Sequence, residues 1–468
     1  MSPRMKAALY NPSKLLFISV PLLLLLAPAI AQADDWPQWR GPLRDGVWRE
    51  NGILETFPTN GLTVRWRAPI GAGYSGPSVA DGRVYLMDRV TQPDPDTEVK
   101  VRWDFRDKTM GLERVLCLDE ATGKLLWTHS YLCKYSVAYG TGPRVTPTVQ
   151  AGKVYTLGAM GDLYCLDATT GKEMWQRNLP RDYNAPVPIY GSAIQPLVEG
   201  EQVILLAGGS NQTVVAFNRL DGKEVWKSLS AAESGYSAPL IRTLAGQRQV
   251  IVWHSDGLAG LTPDSGKVLW SVPHATKMGM SITTPALEGN RLAVSSQYEG
   301  ALMLQFNPGA PAPEILWQAT TGGAPEKEWK KAGFNTTLST VLLLENFVYG
   351  VSLYGELCCL NGNTGERVWT TLAATTGGIQ PNERWCSAFM VPQRDRVFIF
   401  NEKGDLILCR LSPKGYEEIS RARIIEPDQT SAGTGGRQVI WAHPAFANHC
   451  VYARNNHELI CVSLAAKP

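Results

Sequence analysis

The chain has 468 residues, of which 44% are hydrophobic and 19% charged, with a formal net charge of +2. This composition excludes a disordered chain, and a near-neutral balance without a basic run excludes the electrostatic footprint of a nucleic-acid binder. Glycine (44) and proline (31) are abundant, as a turn-rich all-β chain requires. Residues 1–33 read as an export signal. Arg4, Lys6 and Lys14 give a positive n-region, Leu15 to Ile30 an apolar h-region, and Ala31-Gln32-Ala33 a small-x-small cleavage pattern. Cleavage there predicts an exported protein, periplasmic or extracellular, that begins at Asp34 with a net charge of −1. The alternative is retention of the segment as an anchor, although the apolar run is short for a membrane span.

Residues 34–63 form a lead-in outside any repeat. Its core, Asp35-Trp36-Pro37-Gln38-Trp39-Arg40-Gly41-Pro42-Leu43-Arg44, is aromatic. It is expected to pack over the fold near where the chain closes, with partner binding as the alternative.

Residues 64–464 repeat. Trp66, Trp127, Trp175, Trp226, Trp270, Trp317 and Trp369 recur at steps of 44 to 61 residues. Before most of them stands one phrase, as in Cys117-Leu-Asp-Glu-Ala-Thr-Gly-Lys-Leu-Leu-Trp127 and Cys165-Leu-Asp-Ala-Thr-Thr-Gly-Lys-Glu-Met-Trp175. Ala216 to Trp226, Gly260 to Trp270 and Cys359 to Trp369 keep the ten-residue offset. Pro308, Pro311 and Pro313 loosen the copy ending at Trp317, and Cys409 to Ile419 puts Ile in the Trp slot. An apolar strand entering Asp-x-x-Thr-Gly and leaving as a second strand predicts a hairpin. Upstream strand pairs, such as Ser78 to Leu86 and Thr148 to Thr156, complete units of four antiparallel strands. Radial repetition of such units makes a β-propeller. Seven units run from Gly76 to Ser420. The C-terminal segment supplies three strands of an eighth, and Val64 to Ile70, carrying Trp66, supplies its fourth. The prediction is an all-β, eight-bladed propeller of four-stranded antiparallel blades, its ring closed by the N-terminal strand joining the last blade.

The phrase resembles the tryptophan-docking motif, Ala-x-Asp-x-x-Thr-Gly-x-x-x-Trp, of the PQQ-like repeat family. That family includes quinoprotein alcohol dehydrogenases and the outer-membrane assembly scaffold BamB. The resemblance spans about residues 64 to 464, and the lead-in resembles one found on secreted bacterial members. It implies that the seven tryptophans pack between neighbouring blades.

Nine cysteines are present. Cys117, Cys165, Cys359, Cys409 and Cys461 fill the motif's small-residue slot, where free Cys behaves as a small hydrophobe. Cys133 and Cys386 are placed in loops, where they could pair. The adjacent pair Cys358-Cys359 falls inside a blade strand, unlike the adjacent-cysteine disulfide the resemblance associates with the quinone. No spacing suggests a zinc site, and no metal ligand set is assigned. Gly71-Ala-Gly-Tyr-Ser-Gly76 matches a dinucleotide pattern, but a strand follows where a helix is needed. Asp94-Pro-Asp96 lies in a polar insertion and reads as a solvated loop.

In a propeller, the segment entering each blade's first strand faces the channel. Here these segments carry an aromatic and small polar residues: Tyr74-Ser-Gly-Pro77, Tyr139-Gly-Thr-Gly-Pro-Arg144, Tyr190-Gly-Ser192, Tyr236-Ser-Ala-Pro239, Trp385-Cys-Ser387 and Trp441-Ala-His443-Pro444. Tyr74, Tyr139, Tyr190, Tyr236, Trp385 and Trp441 are therefore candidates for a channel-mouth ligand site. Arg144, Lys277, Arg384, Arg437 and His443 break the repeat and join them. The alternative is that these residues fill the channel.

No catalytic residue is assigned. The reading favoured is a monomeric, non-enzymatic scaffold that binds a protein partner or a small ligand at the channel face. It expects no cofactor, and no lipid anchor, since the first cysteine is Cys117. The alternative is a PQQ-dependent dehydrogenase, for which the resemblance implies a calcium site of Glu, Asn and Asp, an Asp base and a Trp platform.

Overall fold

The hairpin phrase folds because its turn satisfies itself. In the computed structural model, which describes residues 34–91, 106–107, 109–310, 312–319, 334–379, 384–430 and 436–466, Asp119 accepts from the Thr122 N–H at 2.9 Å and from its hydroxyl at 2.6 Å. Gly123, at φ +71°, donates to the Asp119 carbonyl at 2.8 Å. Asp167, Thr170 and Gly171 repeat the geometry. The Thr122 donors hold the Asp119 carboxyl below the usual carboxylate range.

Eight four-stranded antiparallel sheets result. Blade one is Ser78–Ala80, Arg83–Thr91, Met110–Asp119 and Leu125–Lys134. Blade two is Thr148–Gln150, Lys153–Leu157, Asp162–Asp167 and Glu173–Asn178. Blades three to seven follow over 197–228, 240–273, 286–319, 342–371 and 388–423. Blade eight takes Ala445–Ala447, Cys450–Arg454 and Glu458–Ser463 from the C-terminal region and Thr63–Pro69 from the N-terminal region. Thr63 stands opposite Ser463 and Pro69 opposite Glu458, so the ring closes as predicted. Among the described residues, helix is confined to one five-residue turn, Leu179–Tyr183, and a short 3-10 turn, and none of it is long and apolar enough to cross a membrane. Residues 1–33, read as an export signal, and Asp94-Pro-Asp96 lie outside the described residues.

The register explains the small-residue slot. Cys117, Cys165, Ala216, Gly260, Cys359 and Cys461 each stand directly across the ladder from Trp127, Trp175, Trp226, Trp270, Trp369 and Trp66, and a bulge adjoins every pair. The indole folds over its small partner and reaches the next blade. There Trp66 Nε1 donates to the Glu120 carbonyl at 2.7 Å, Trp127 to Ala168 at 3.1 Å, Trp175 to Arg219 at 3.1 Å and Trp226 to Pro263 at 3.0 Å. Trp317 and Trp369 do the same to Gly362 and Ser412. The turn glycine lies flat against that ring. A Cβ on Gly123, Gly171, Gly222, Gly266 or Gly365 would fall 2.3–2.7 Å from the preceding blade's indole. Trp270 departs from the pattern: it donates to Gln249 of its own blade and meets Phe306 edge-on at 5.2 Å, where the proline-loosened copy replaces the usual turn.

The lead-in is not confined to the closure, which corrects the expectation. Trp36 exchanges backbone hydrogen bonds with Val79 of blade one, and the Val149 N–H of blade two donates to the Pro37 carbonyl at 2.8 Å. Arg44 is 3% exposed and donates to the Pro196 and Pro239 carbonyls at the entries of blades three and four. Trp39 Nε1 donates to Thr284 Oγ1 at 2.8 Å, before blade five. The Trp48 backbone N–H then donates to the Pro392 carbonyl of blade seven, and Glu50 accepts the Asn448 and His449 N–H groups of blade eight. The segment thus crosses the channel. Its cause is the inner strands' supply of carbonyls facing the axis, which a buried guanidinium with five donors satisfies.

Candidate functional site

The segments entering the blades bring their aromatic residues to one end of the channel and a few further residues deeper. Together they line a cavity of about 210 Å³. Tyr74, Tyr139, Tyr190, Tyr236, Trp385 and Trp441 all line it, as do Arg144 and His443. Trp39 of the lead-in stands at the deep end, 4.9 Å from the His443 ring.

Tyr139 is the hub of the mouth. Its ring centroid lies 5.8 Å from Tyr190, 6.0 Å from Trp441 and 6.5 Å from Trp385, the last two edge to face. Tyr139 and Trp385 both have left-handed backbones, at φ +53° and +65°. Bulky residues rarely adopt that conformation, and it persists where the surroundings enforce it. Arg144 is one enforcer: its guanidinium donates to the carbonyls of Ala138, Tyr139 and Gly142 and lies 5.2 Å above the Tyr74 ring.

Three candidates stand behind the aromatic lining instead of in it. The Arg384 guanidinium sits 5.2 Å over the Trp385 ring, and Lys277 Nζ sits 5.0 Å over Tyr298. Arg437 pairs with Glu402 at 2.9 Å and donates to the Arg384 carbonyl. Glu402 also accepts from the Ser387 N–H and from Trp441 Nε1, and burial pushes its pKa up. Cys133 is in the outer strand of blade one, not a loop, and Cys386 follows Trp385 before blade seven, so the two do not meet. Cys358 and Cys359 lie within the strand Leu357–Asn361, away from the mouth.

Residues missed in the sequence include Trp39, Gln297, Tyr298 and Phe389, all of which line the cavity. Tyr298 follows the inner hairpin of blade five, outside the repeated phrase. An aromatic in a polar turn was its only signal.

His443 sits at the base between Trp39 and Phe389, whose ring is 4.8 Å away. Its Nδ1 lies 2.6 Å from the Pro444 carbonyl. Burial, aided by the charge of Arg40, lowers its pKa to about 3. The imidazole is therefore neutral at ordinary pH. Nδ1 carries the proton toward Pro444, which leaves Nε2 as a hydrogen-bond acceptor.

A family model described as "Outer membrane protein assembly factor BamB" matches residues 112–371 and 316–467. The chain belongs to this family. A BamB of Shewanella oneidensis is 24% identical over 58% of the chain and 68% of its own length, and one of Moranella endobia is 24% identical over 72% and 86%. A quinoprotein ethanol dehydrogenase of Pseudomonas aeruginosa is 28% identical over 50% of the chain and 35% of its own length. Among solved structures, the quinohemoprotein alcohol dehydrogenase of Comamonas testosteroni superposes with a TM-score of 0.56 at 13% identity, covering 93% of this chain and 81% of that one, a likeness of fold alone.

Within the BamB family frame, the cavity's chemistry is decided by what lines it. No Asp or Glu is among its described lining residues. No group of three His, Cys, Asp or Glu side chains suited to a metal occurs among the described residues. The Glu, Asn and Asp set that a calcium-bound quinone needs is not assembled there, so these residues do not fit that group.

Proposed function

We propose that this BamB-family propeller is an exported, non-catalytic scaffold that binds a protein partner or a small ligand at the face holding the channel mouth. The observation that carries the reading is the cavity itself: aromatic walls, a neutral histidine at the base and no carboxylate among the described lining residues to act as base or metal ligand. The names of its BamB relatives point to assembly at the outer membrane, and such a role comes to this chain with the same reading. It acts as a monomer with no nucleic-acid partner.

The second reading, a quinone-dependent dehydrogenase, draws on the 28% identity to the Pseudomonas aeruginosa enzyme. Melting the mature protein with and without PQQ plus calcium separates the two. A ligand specific for the folded state adds about 2.7 kcal/mol at 100 times its dissociation constant. No shift is expected at saturating cofactor. A clear upward shift would replace the scaffold with the dehydrogenase.

A further inference from the structure

The chemistry of the cavity narrows the ligand. Its indole N–H groups are already engaged: Trp39 by Thr284, Trp385 by Gln297 and Trp441 by Glu402. The tryptophans therefore offer ring faces, which favour flat unsaturated bodies through stacking and edge contacts. The one cation among the described lining residues, Arg144, spends its two terminal nitrogens on three backbone carbonyls. An anion entering the cavity would be desolvated with only neutral hydroxyl and amide groups of the lining left to meet it, at high cost. A cation would find aromatic faces but no carboxylate in the described lining, and the Arg144 charge would repel it.

At the base, His443 is 6% exposed and lines the cavity. Its tautomer is fixed by the Pro444 carbonyl, so the nitrogen it has left accepts and does not donate. That calls for a donor on the ligand. Trp39, supplied by the lead-in, lines the same cavity and packs 4.9 Å from the His443 ring.

We propose that the channel cavity binds a neutral, flat aromatic compound bearing a hydroxyl group, the ring held among Tyr139, Trp385 and Trp441 and the hydroxyl donated to His443 Nε2 above Trp39. This deepens the small-ligand half of the scaffold reading and adds no chemical step. The nitrogen stays an acceptor across neutral and mildly acidic pH, so recognition of the hydroxyl does not switch with pH.

The test is calorimetry on the intact mature protein with three matched probes: 2-naphthol, naphthalene and 2-naphthoate. 2-Naphthol is expected to bind at least about tenfold more tightly than either of the others, the scale on which one satisfied hydrogen bond separates ligands. That preference should be unchanged from about pH 5 to 8. His443→Leu should abolish the preference while retaining naphthalene binding. Tyr139→Ala, away from the base, should weaken all three probes and keep the preference, which covers the case of a misfolded His443 variant. Equal binding of the three probes, no binding of any, or a preference that survives His443→Leu overturns the proposal. The PQQ melting result stands apart from all of these, because a scaffold that binds only a protein would fail here and still show no shift there.

Discussion

His443 shows how one contact sets a side chain's chemistry. The sequence picked it out only as a break in the repeat. Its value lies in the Pro444 carbonyl, which fixes the proton, and in burial, which keeps the ring neutral. The same burial has a consequence for stability. The unfolded chain takes up a proton near pH 6.5 that the folded chain refuses until about 3, so stability rises with pH across that window and is lost as pH falls through it. The slope from this group approaches about 1.4 kcal/mol per pH unit between those limits. His254 and His274 are also buried with lowered pKa values, so the effect of His443 must be read as a difference. Urea unfolding of the protein and of His443→Leu at pH 7 and pH 5 should show the native chain losing more stability than the variant. Parallel loss would mean that His443 is protonated in the folded state.

At the scale of elements, the turn glycine does two jobs that substitutions can separate. Gly266 and Gly289 both have left-handed backbones, at φ +66° and +55°. A Cβ at Gly289 would meet nothing within 4 Å, whereas one at Gly266 would lie 2.3 Å from the Trp226 ring. Gly289→Ala should cost about 1–2 kcal/mol for backbone conformation alone. Gly266→Ala should cost clearly more, because the blade seam must open. Trp175→Ala, which empties a seam, should cost about 3–5 kcal/mol. Equal costs for the two glycines in chemical denaturation would rule out the docking account.

The repeat was legible because its residues act locally. Asp, Thr and Gly close a turn on themselves, and a small residue faces each Trp across one ladder. The lead-in was less legible because Arg44 and Trp39 recognise backbone carbonyls and a threonine hydroxyl far away in sequence, and such partners carry no pattern. Cys133 was misplaced because the strands of blade one run to ten residues, beyond the five or six of most copies. The mouth aromatics could be named from their repeat position. Whether they would fill the channel or line a cavity depended on Tyr139 and Trp385 adopting left-handed backbones, which nothing in their neighbours announces.

At the scale of the molecule, closure rests on Thr63–Pro69 and on the lead-in ahead of it. A chain beginning at Gly71 would leave Glu458–Ser463 as an open edge, and such edges pair with other chains. It should elute as higher-order species in size exclusion with light scattering and lose its cooperative unfolding. A stable monomer would mean that blade eight needs only three strands. The closing contact also spans the chain: Thr63 meets Ser463, about 400 residues away. The strand that seals the ring is therefore made early and completed last. Trp48 and Glu50 lack their blade contacts until blades seven and eight exist, and Thr63–Pro69 has until then only the seat of Trp66 on blade one. A growing chain can stack its early blades and seat Trp36, Pro37 and Trp66 on them, but the ladder edge of Thr63–Pro69 stays open until synthesis reaches the end, and that wait is when the protein most needs an escort.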